Sequence, residues 1–190
     1  KITDAFRNIS RLDIDAFKSL LFEYSDNLSV FSAPPEVMPL DVLNDDGVEK
    51  LIELARSAFA CVIIDLPSSI PDWYGKMIVE CDELILVSVA DVRCAYNARK
   101  LLDLLQSEKL PASKCRFVLN KTPKRPDKSW LSHRESFELG IGKKFSHSFG
   151  YGGDEITELG NAGLSLKHAH DNNPFKKSVS EFGASYVDRV

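Results

Sequence analysis

The sequence predicts an α/β fold, a doubly wound parallel sheet with helices on both faces, and three observations predict it. The runs Phe59-Ala-Cys-Val-Ile-Ile-Asp65, Glu83-Leu-Ile-Leu-Val-Ser-Val89 and Cys115-Arg-Phe-Val-Leu-Asn120 are nearly continuous in apolar residues, the composition of parallel strands buried on both faces. Amphipathic stretches of roughly 10 to 20 residues separate strands, the spacing of βαβ crossovers. Two of the runs end in a polar residue, Asp65 and Asn120, at the strand end where open α/β sheets carry their chemistry.

Taken in chain order, Ile2 to Leu21 carries Phe6, Ile9, Ile14, Phe17, Leu20 and Leu21 at helical spacing, with Asp13 as a cap between two short helices. Leu28-Ser-Val-Phe-Ser-Ala33 reads as a strand, which Pro34 and Pro35 end by opening a loop that runs to Asp46. Val48, Leu51, Ile52, Ala55 and Phe59 then mark one face of an amphipathic helix that leads into the strand ending at Asp65. A loop and helix around Pro71 to Cys81 precede the second apolar run. Asp91 caps the next helix, whose face is Ala95, Ala98, Leu101, Leu102 and Leu105.

After Asn120, Lys121 to Lys128 is a basic loop broken by Pro123 and Pro126; Ser132 to Leu139 is a short helix and Lys144 to Phe149 a weak strand. Asp154 is expected to cap a helix through Leu159 to Ala162, with Gly163 as its stop. Phe175, Val179, Phe182, Tyr186 and Val190 form a stripe on a final helix, for packing on the sheet or for lying on a membrane surface.

The bulk numbers narrow the function classes. With 190 residues, 44% of them hydrophobic, the chain has material for one core, so residues 1–190 are expected to lie in a single domain. A net charge of -4 gives no overall attraction for nucleic acid, and no nucleic-acid partner is expected. The cysteines Cys61, Cys81, Cys94 and Cys115 show no C-x-x-C spacing, and Cys61 and Cys115 open expected buried strands, where a reduced thiol packs as a small hydrophobe. That usage points to a reducing, cytoplasmic compartment. No apolar run approaches the roughly 20 residues of a membrane-spanning helix.

Asp65 is the leading chemical candidate, either as a carboxylate beside the Mg²⁺ shell of a nucleoside triphosphate or as a simple turn cap. Asn120, followed by Lys121, has an amide whose donor and acceptor match an adenine edge; the alternative is an Asn that satisfies a strand-to-loop turn. Gly150-Tyr-Gly-Gly153 precedes a helix and either approaches a nucleotide or permits positive φ. The phosphate-cradling loop G-x-x-x-x-G-K-[ST] occurs nowhere in the sequence. Gly140-Ile-Gly-Lys-Lys144 imitates it without the hydroxyl residue that ligates Mg²⁺, and reads better as a helix C-cap. His168 and His170 have no ligand pattern around them, so no metal site is expected there.

The order Leu28-Ser-Val-Phe-Ser-Ala-Pro-Pro, Phe59-Ala-Cys-Val-Ile-Ile-Asp-Leu-Pro, Asp82-Glu-Leu-Ile-Leu-Val, Asn97-Ala-Arg-Lys-Leu-Leu-Asp, Phe117-Val-Leu-Asn-Lys and Leu159-Gly-Asn-Ala-Gly-Leu-Ser-Leu resembles the MinD/ParA-type P-loop ATPases. It is most similar to the CpaE/TadZ branch, the pilus-assembly ATPases of Tad (Flp) systems. The resemblance implies an ATP- and Mg²⁺-dependent homodimer, cytoplasmic, polar and peripheral to the inner membrane, that works with other pilus-assembly components. It implies that Asp65 is the Walker B-like residue, reaching Mg²⁺ through water. It also implies that Asn120, Lys121, Ser148, Phe149 and Gly150 lie at the base. A scaffold with a degenerate nucleotide site and a plasmid or chromosome partition ATPase are the alternatives. In that family the Walker A strand, loop and helix come before the first of these segments, so the chain is expected to be the C-terminal part of the ATPase domain, starting at Lys1 inside a longer polypeptide. ATP hydrolysis is then possible for the full-length protein and is not expected of this chain, to which no cofactor should bind tightly.

Overall fold

The computed structural model of the chain describes residues 8–32, 44–66 and 72–187, and these fall into two compact units, Lys1–Cys81 and Asp82–Val190. The loop at Pro34 and Pro35, the turn at Pro71, Phe6 and Val190 lie outside the described residues.

In the first unit a 3-10 turn, Ile9–Arg11, precedes helix α1, Ile14–Ser19, and the Asp13 carboxylate accepts the Ala16 N–H at 2.8 Å as the sequence predicts. Strands β1, Phe22–Ser25, and β2, Leu28–Val30, then pair antiparallel as a hairpin. This corrects the expected strand Leu28 to Ala33. It is shorter, and it pairs locally across the Asp26-Asn27 turn. Helix α2, Asp45–Ala58, starts where the Asn44 side chain accepts the Gly47 N–H at 2.9 Å, and buries Val48, Ile52 and Leu54. Together with helix α3, Tyr74–Glu80, and Trp73 before it, α2 builds the core Val48, Ile52, Trp73 and Met77, on which Leu66 packs. Lys76 on α3 reaches Glu49 at 3.0 Å and Glu80 at 3.6 Å, and the bond to Glu49 is the main reason its pKa is raised.

The segment 59–66 is where sequence and structure part most sharply. Its apolar run has a strand's composition, yet among the described residues it forms no ladder, and Ile63 is 92% exposed. Cys61 is exposed too, so the expected buried thiol at this point is corrected. The reason is physical: a strand's backbone polar groups and both side-chain faces need neighbours, and composition alone supplies none.

The second unit is a three-stranded parallel sheet in the order β3-β4-β5, with β3 at Leu84–Ser88, β4 at Cys115–Thr122 and β5 at His147–Gly150. Helix α4, Val92–Ser107, links β3 to β4, and helix α5, Lys128–Ile141, links β4 to β5, which makes two consecutive βαβ units. Central β4 carries the core, with Phe117, Val118 and Leu119 at no more than 1% exposure. Edge strand β3 alternates instead, and Ile85 and Val87 are exposed, against the expectation of burial on both faces.

Helix starts and stops obey local chemistry. Asp91 caps α4 by accepting the Cys94 N–H at 2.7 Å, which chiefly lowers its pKa. Asp127 caps α5 through the Trp130 N–H at 2.7 Å, so the helix starts at Lys128, four residues before the expected start at Ser132. Gly142 ends α5 in the left-handed region at φ 69°, the helix C-cap role read for Gly140-Ile-Gly-Lys-Lys144. Helix α6, Gly153–Asn161, begins before Asp154, whose expected capping is replaced by a place in the first turn. The last helix, α7, Pro174–Val187, packs on β5: Phe149 lies 6.0 Å from Phe175 and 5.3 Å from Phe182, ring centroid to centroid. Its far end is tied down by Tyr186, which hydrogen-bonds Glu83, while Arg116 pairs with Glu83 at 2.7 Å.

Candidate functional site

Five of the six residues singled out in the sequence meet where β4 and β5 end. Leu119 pairs with Ser148 and Thr122 with Gly150, so Asn120 and Lys121 together oppose the single residue Phe149. This is a bulge, a device that bends a strand and re-aims its side chains. Lys121 takes the extra residue's place in the left-handed region, at φ 56°. The Asn120 side chain supports that conformation by accepting the Lys121 N–H on Oδ1 at 2.8 Å.

The carboxamide oxygen gives one of its two lone pairs to that bond, and Nδ2 carries the side chain's donors. Lys121 is exposed, and Ser148 and Gly150 are half-buried. Phe149 is buried among His147, Phe175 and Phe182, so its ring serves the core and only its backbone faces the strand end. Beside them, Thr122 Oγ1 is buried without a hydrogen-bond partner among the described residues.

The turn after β5 is held from two sides. Tyr151 donates its N–H to the Thr122 carbonyl at 2.8 Å, Gly150 donates its N–H to Ser178 Oγ at 3.0 Å, and Asn173 Nδ2 donates to the Gly152 carbonyl at 3.0 Å. A Cβ on Gly150 would come within 2.6 Å of Pro174 Cβ, and one on Gly152 within 2.3 Å of Ile156 Cγ1. These two glycines therefore allow close approach, and only Gly153 of this group needs positive φ, at 69°.

Sequence reasoning missed the polar cluster behind this turn. Glu155 on α6 accepts the His170 N–H and its Nδ1, both at 2.6 Å, and Asn173 Nδ2 at 2.6 Å. The His170 N–H is the leading cause that holds the Glu155 carboxyl down to about 2. The partners lie 15 and 18 residues away, so no local pattern announces them.

Asp65 belongs to the first unit. It is exposed, not at the end of a strand, and is located through Leu66, which packs on the Val48 and Trp73 core. Among the described residues no group of three His, Cys, Asp or Glu side chains is arranged to hold a metal ion. Nor is any helix among them long and apolar enough to cross a membrane.

No family model matches the sequence. Among solved structures, a ParA family ATPase from Chlorobium tepidum TLS superposes with a TM-score of 0.82, at 21% identity, over 95% of this chain and 74% of that one. This is the ParA/MinD-type fold. The MinC:MinD cell division protein complex of Aquifex aeolicus gives a TM-score of 0.50 at 13% identity, over 72% of this chain and 59% of that one. In sequence, the septum site-determining protein MinD of Synechocystis sp. is 24% identical over 98 residues, 52% of this chain. The match spans 35% of that relative's length. Each of these likenesses is below 25% identity, and what the two structures share with this chain is the fold.

Proposed function

We propose that this chain belongs to an ATP-dependent dimerisation switch of MinD/ParA type, in which the ends of β4 and β5 hold the purine. The observation that carries the reading is the β4 bulge, which presents the Asn120 amide donor next to the β5 turn in a ParA/MinD-type sheet. Asn120, Lys121 and the backbone of Ser148, Phe149 and Gly150 would bind the base. Asp65 would accept from a water of the Mg²⁺ shell. ATP with Mg²⁺ supplies the triphosphate whose loss resets such a switch.

The residues present fit the base half of a nucleotide site. The phosphate half requires a glycine-rich loop with Lys and a hydroxyl residue, which these 190 residues do not contain, so it would come from elsewhere in the intact polypeptide. The order of segments supports the CpaE/TadZ branch and, with it, a polar and peripheral station among pilus-assembly components. The missing loop favours one second reading, a scaffold of the same fold with no nucleotide chemistry.

Mg-ATP titration of the full-length protein tests the choice. Binding that weakens about tenfold in Asn120→Ala is expected, the loss of one hydrogen bond to the base. Asp65→Ala should remove the Mg²⁺ dependence. Absence of binding at millimolar ATP would leave the scaffold reading standing.

A further inference from the structure

Asn173 and Ser178 are the two buried polar side chains among the described residues, at 5% and 9% exposure. Both sit at the head of α7, and both spend a hydrogen bond on the short link that follows β5. Ser178 Oγ donates its one proton to its own helix, where the Pro174 carbonyl lies at 2.8 Å and that of Phe175 at 3.0 Å. Its lone pair is then free to accept the Gly150 N–H. Asn173 divides its amide the same way: Oδ1 accepts the Phe175 N–H at 2.9 Å to cap α7, and Nδ2 reaches out to the Gly152 carbonyl. The Ser178 carbonyl also meets Nε2 of His147, three residues before Gly150 on β5, at 3.0 Å. The absence of a Cβ on Gly150 and Gly152 is what lets the helix come this close.

We infer that Ser178 and Asn173 are positioning residues, which hold the Gly150–Gly152 backbone in the geometry that receives the base at the proposed nucleotide site. The inference rests on that site reading and extends it. The bonds of both residues to this turn run to its backbone, the Gly150 N–H and the Gly152 carbonyl, so they act through the backbone and not by touching the nucleotide. Any event that shifts α7 would then alter base binding while leaving the phosphate contacts intact.

The experiment compares Ser178→Ala with Ser185→Ala in the full-length protein. Ser185 lies on the same helix, and among the described residues its hydroxyl bonds only the Phe182 carbonyl, at 2.7 Å. Competition against a fluorescent ATP analogue, once with ATP and once with inorganic tripolyphosphate, separates base from phosphate binding. Ser178→Ala should weaken ATP about fivefold to tenfold, the effect of one freed backbone donor, and move tripolyphosphate by less than about twofold. Ser185→Ala should change neither. Ser178→Cys, which keeps a weak acceptor in nearly the same volume, should fall between wild type and alanine and serves if the alanine variant fails to fold. An unchanged ratio of ATP to tripolyphosphate affinity in the Ser178 variants, with wild-type ATP binding intact, overturns the inference alone. A wild-type protein that binds no ATP overturns the inference together with the site reading.

Discussion

Replacing Asn173 by alanine removes four hydrogen bonds from one buried side chain and so probes how the C-terminal part of the second unit is held. Its Oδ1 receives the N–H groups of Phe175 and Lys176 at 2.9 and 3.3 Å, and its Nδ2 reaches the Gly152 carbonyl at 3.0 Å and Glu155 at 2.6 Å. Loss of the helix cap costs about 1 kcal/mol. Loss of the bond to Gly152 costs about 1 kcal/mol more, because that carbonyl is left without its partner. The bond to the Glu155 carboxylate adds less than its nominal strength, since water reaches that group. About 2 to 3 kcal/mol of local stability is therefore expected to go, which makes exchange of protected amides about 30- to 160-fold faster. Hydrogen exchange with mass spectrometry, followed on peptides spanning 147–161 and 174–187, reads it directly. Asn173→Asp separates the contributions: it keeps the cap acceptors, loses both outward donations and sets a second carboxylate beside Glu155. It should exchange faster than wild type at neutral pH and recover on acidification. Exchange in Asn173→Ala within about threefold of wild type, or acceleration confined to α7 with 147–161 unmoved, would refute the reasoning.

Two further outcomes follow from burial and charge. Phe117→Ala, at a position 1% exposed, should cost about 3 to 5 kcal/mol in chemical denaturation, whereas Ile63→Asp, at a position 92% exposed, should stay within about 0.5 kcal/mol; a severe loss from Ile63→Asp would mean that the 59–66 segment is covered in solution. Glu155, held at about 2 from an ordinary 4.5, binds fewer protons folded than unfolded, so its contribution is complete above pH 4.5 and disappears as pH falls toward 2. Carboxyl NMR titration should show that low midpoint in wild type and its rise toward the ordinary value in Asn173→Ala.

The parts of the fold that local chemistry governs were legible in the sequence. Asp13, Asp91 and Gly142 have the residue types their helix ends require, and the 3.6-residue spacing of Val48 and Ile52 gave the buried face of α2. Central β4 reads as buried because Phe117, Val118 and Leu119 are flanked by strands on both sides. The same composition misled at 59–66 and at β3, where burial depends on neighbours rather than on the residues themselves. The β1 and β2 hairpin did leave a signal, Asp26-Asn27 between the alternating Phe22 and Tyr24 and the pair Leu28 and Val30. At the candidate site, Asn120 was expected to end its strand, and it stands two residues before the end of β4 at Thr122. The bulge and the Glu155, His170 and Asn173 cluster depend on tertiary contacts that no spacing rule contains.

The exposed Val62, Ile63 and Ile64 have a counterpart in the second unit, the outward Ile85 and Val87 of edge strand β3. Short β-branched stretches with little charge and unsatisfied ladder groups template pairing with identical stretches on other molecules. At high concentration these 190 residues should therefore tend toward cross-β aggregation that begins at these two places. A capping strand of any origin, or a single lysine at position 63 or 87, would act as a gatekeeper against it.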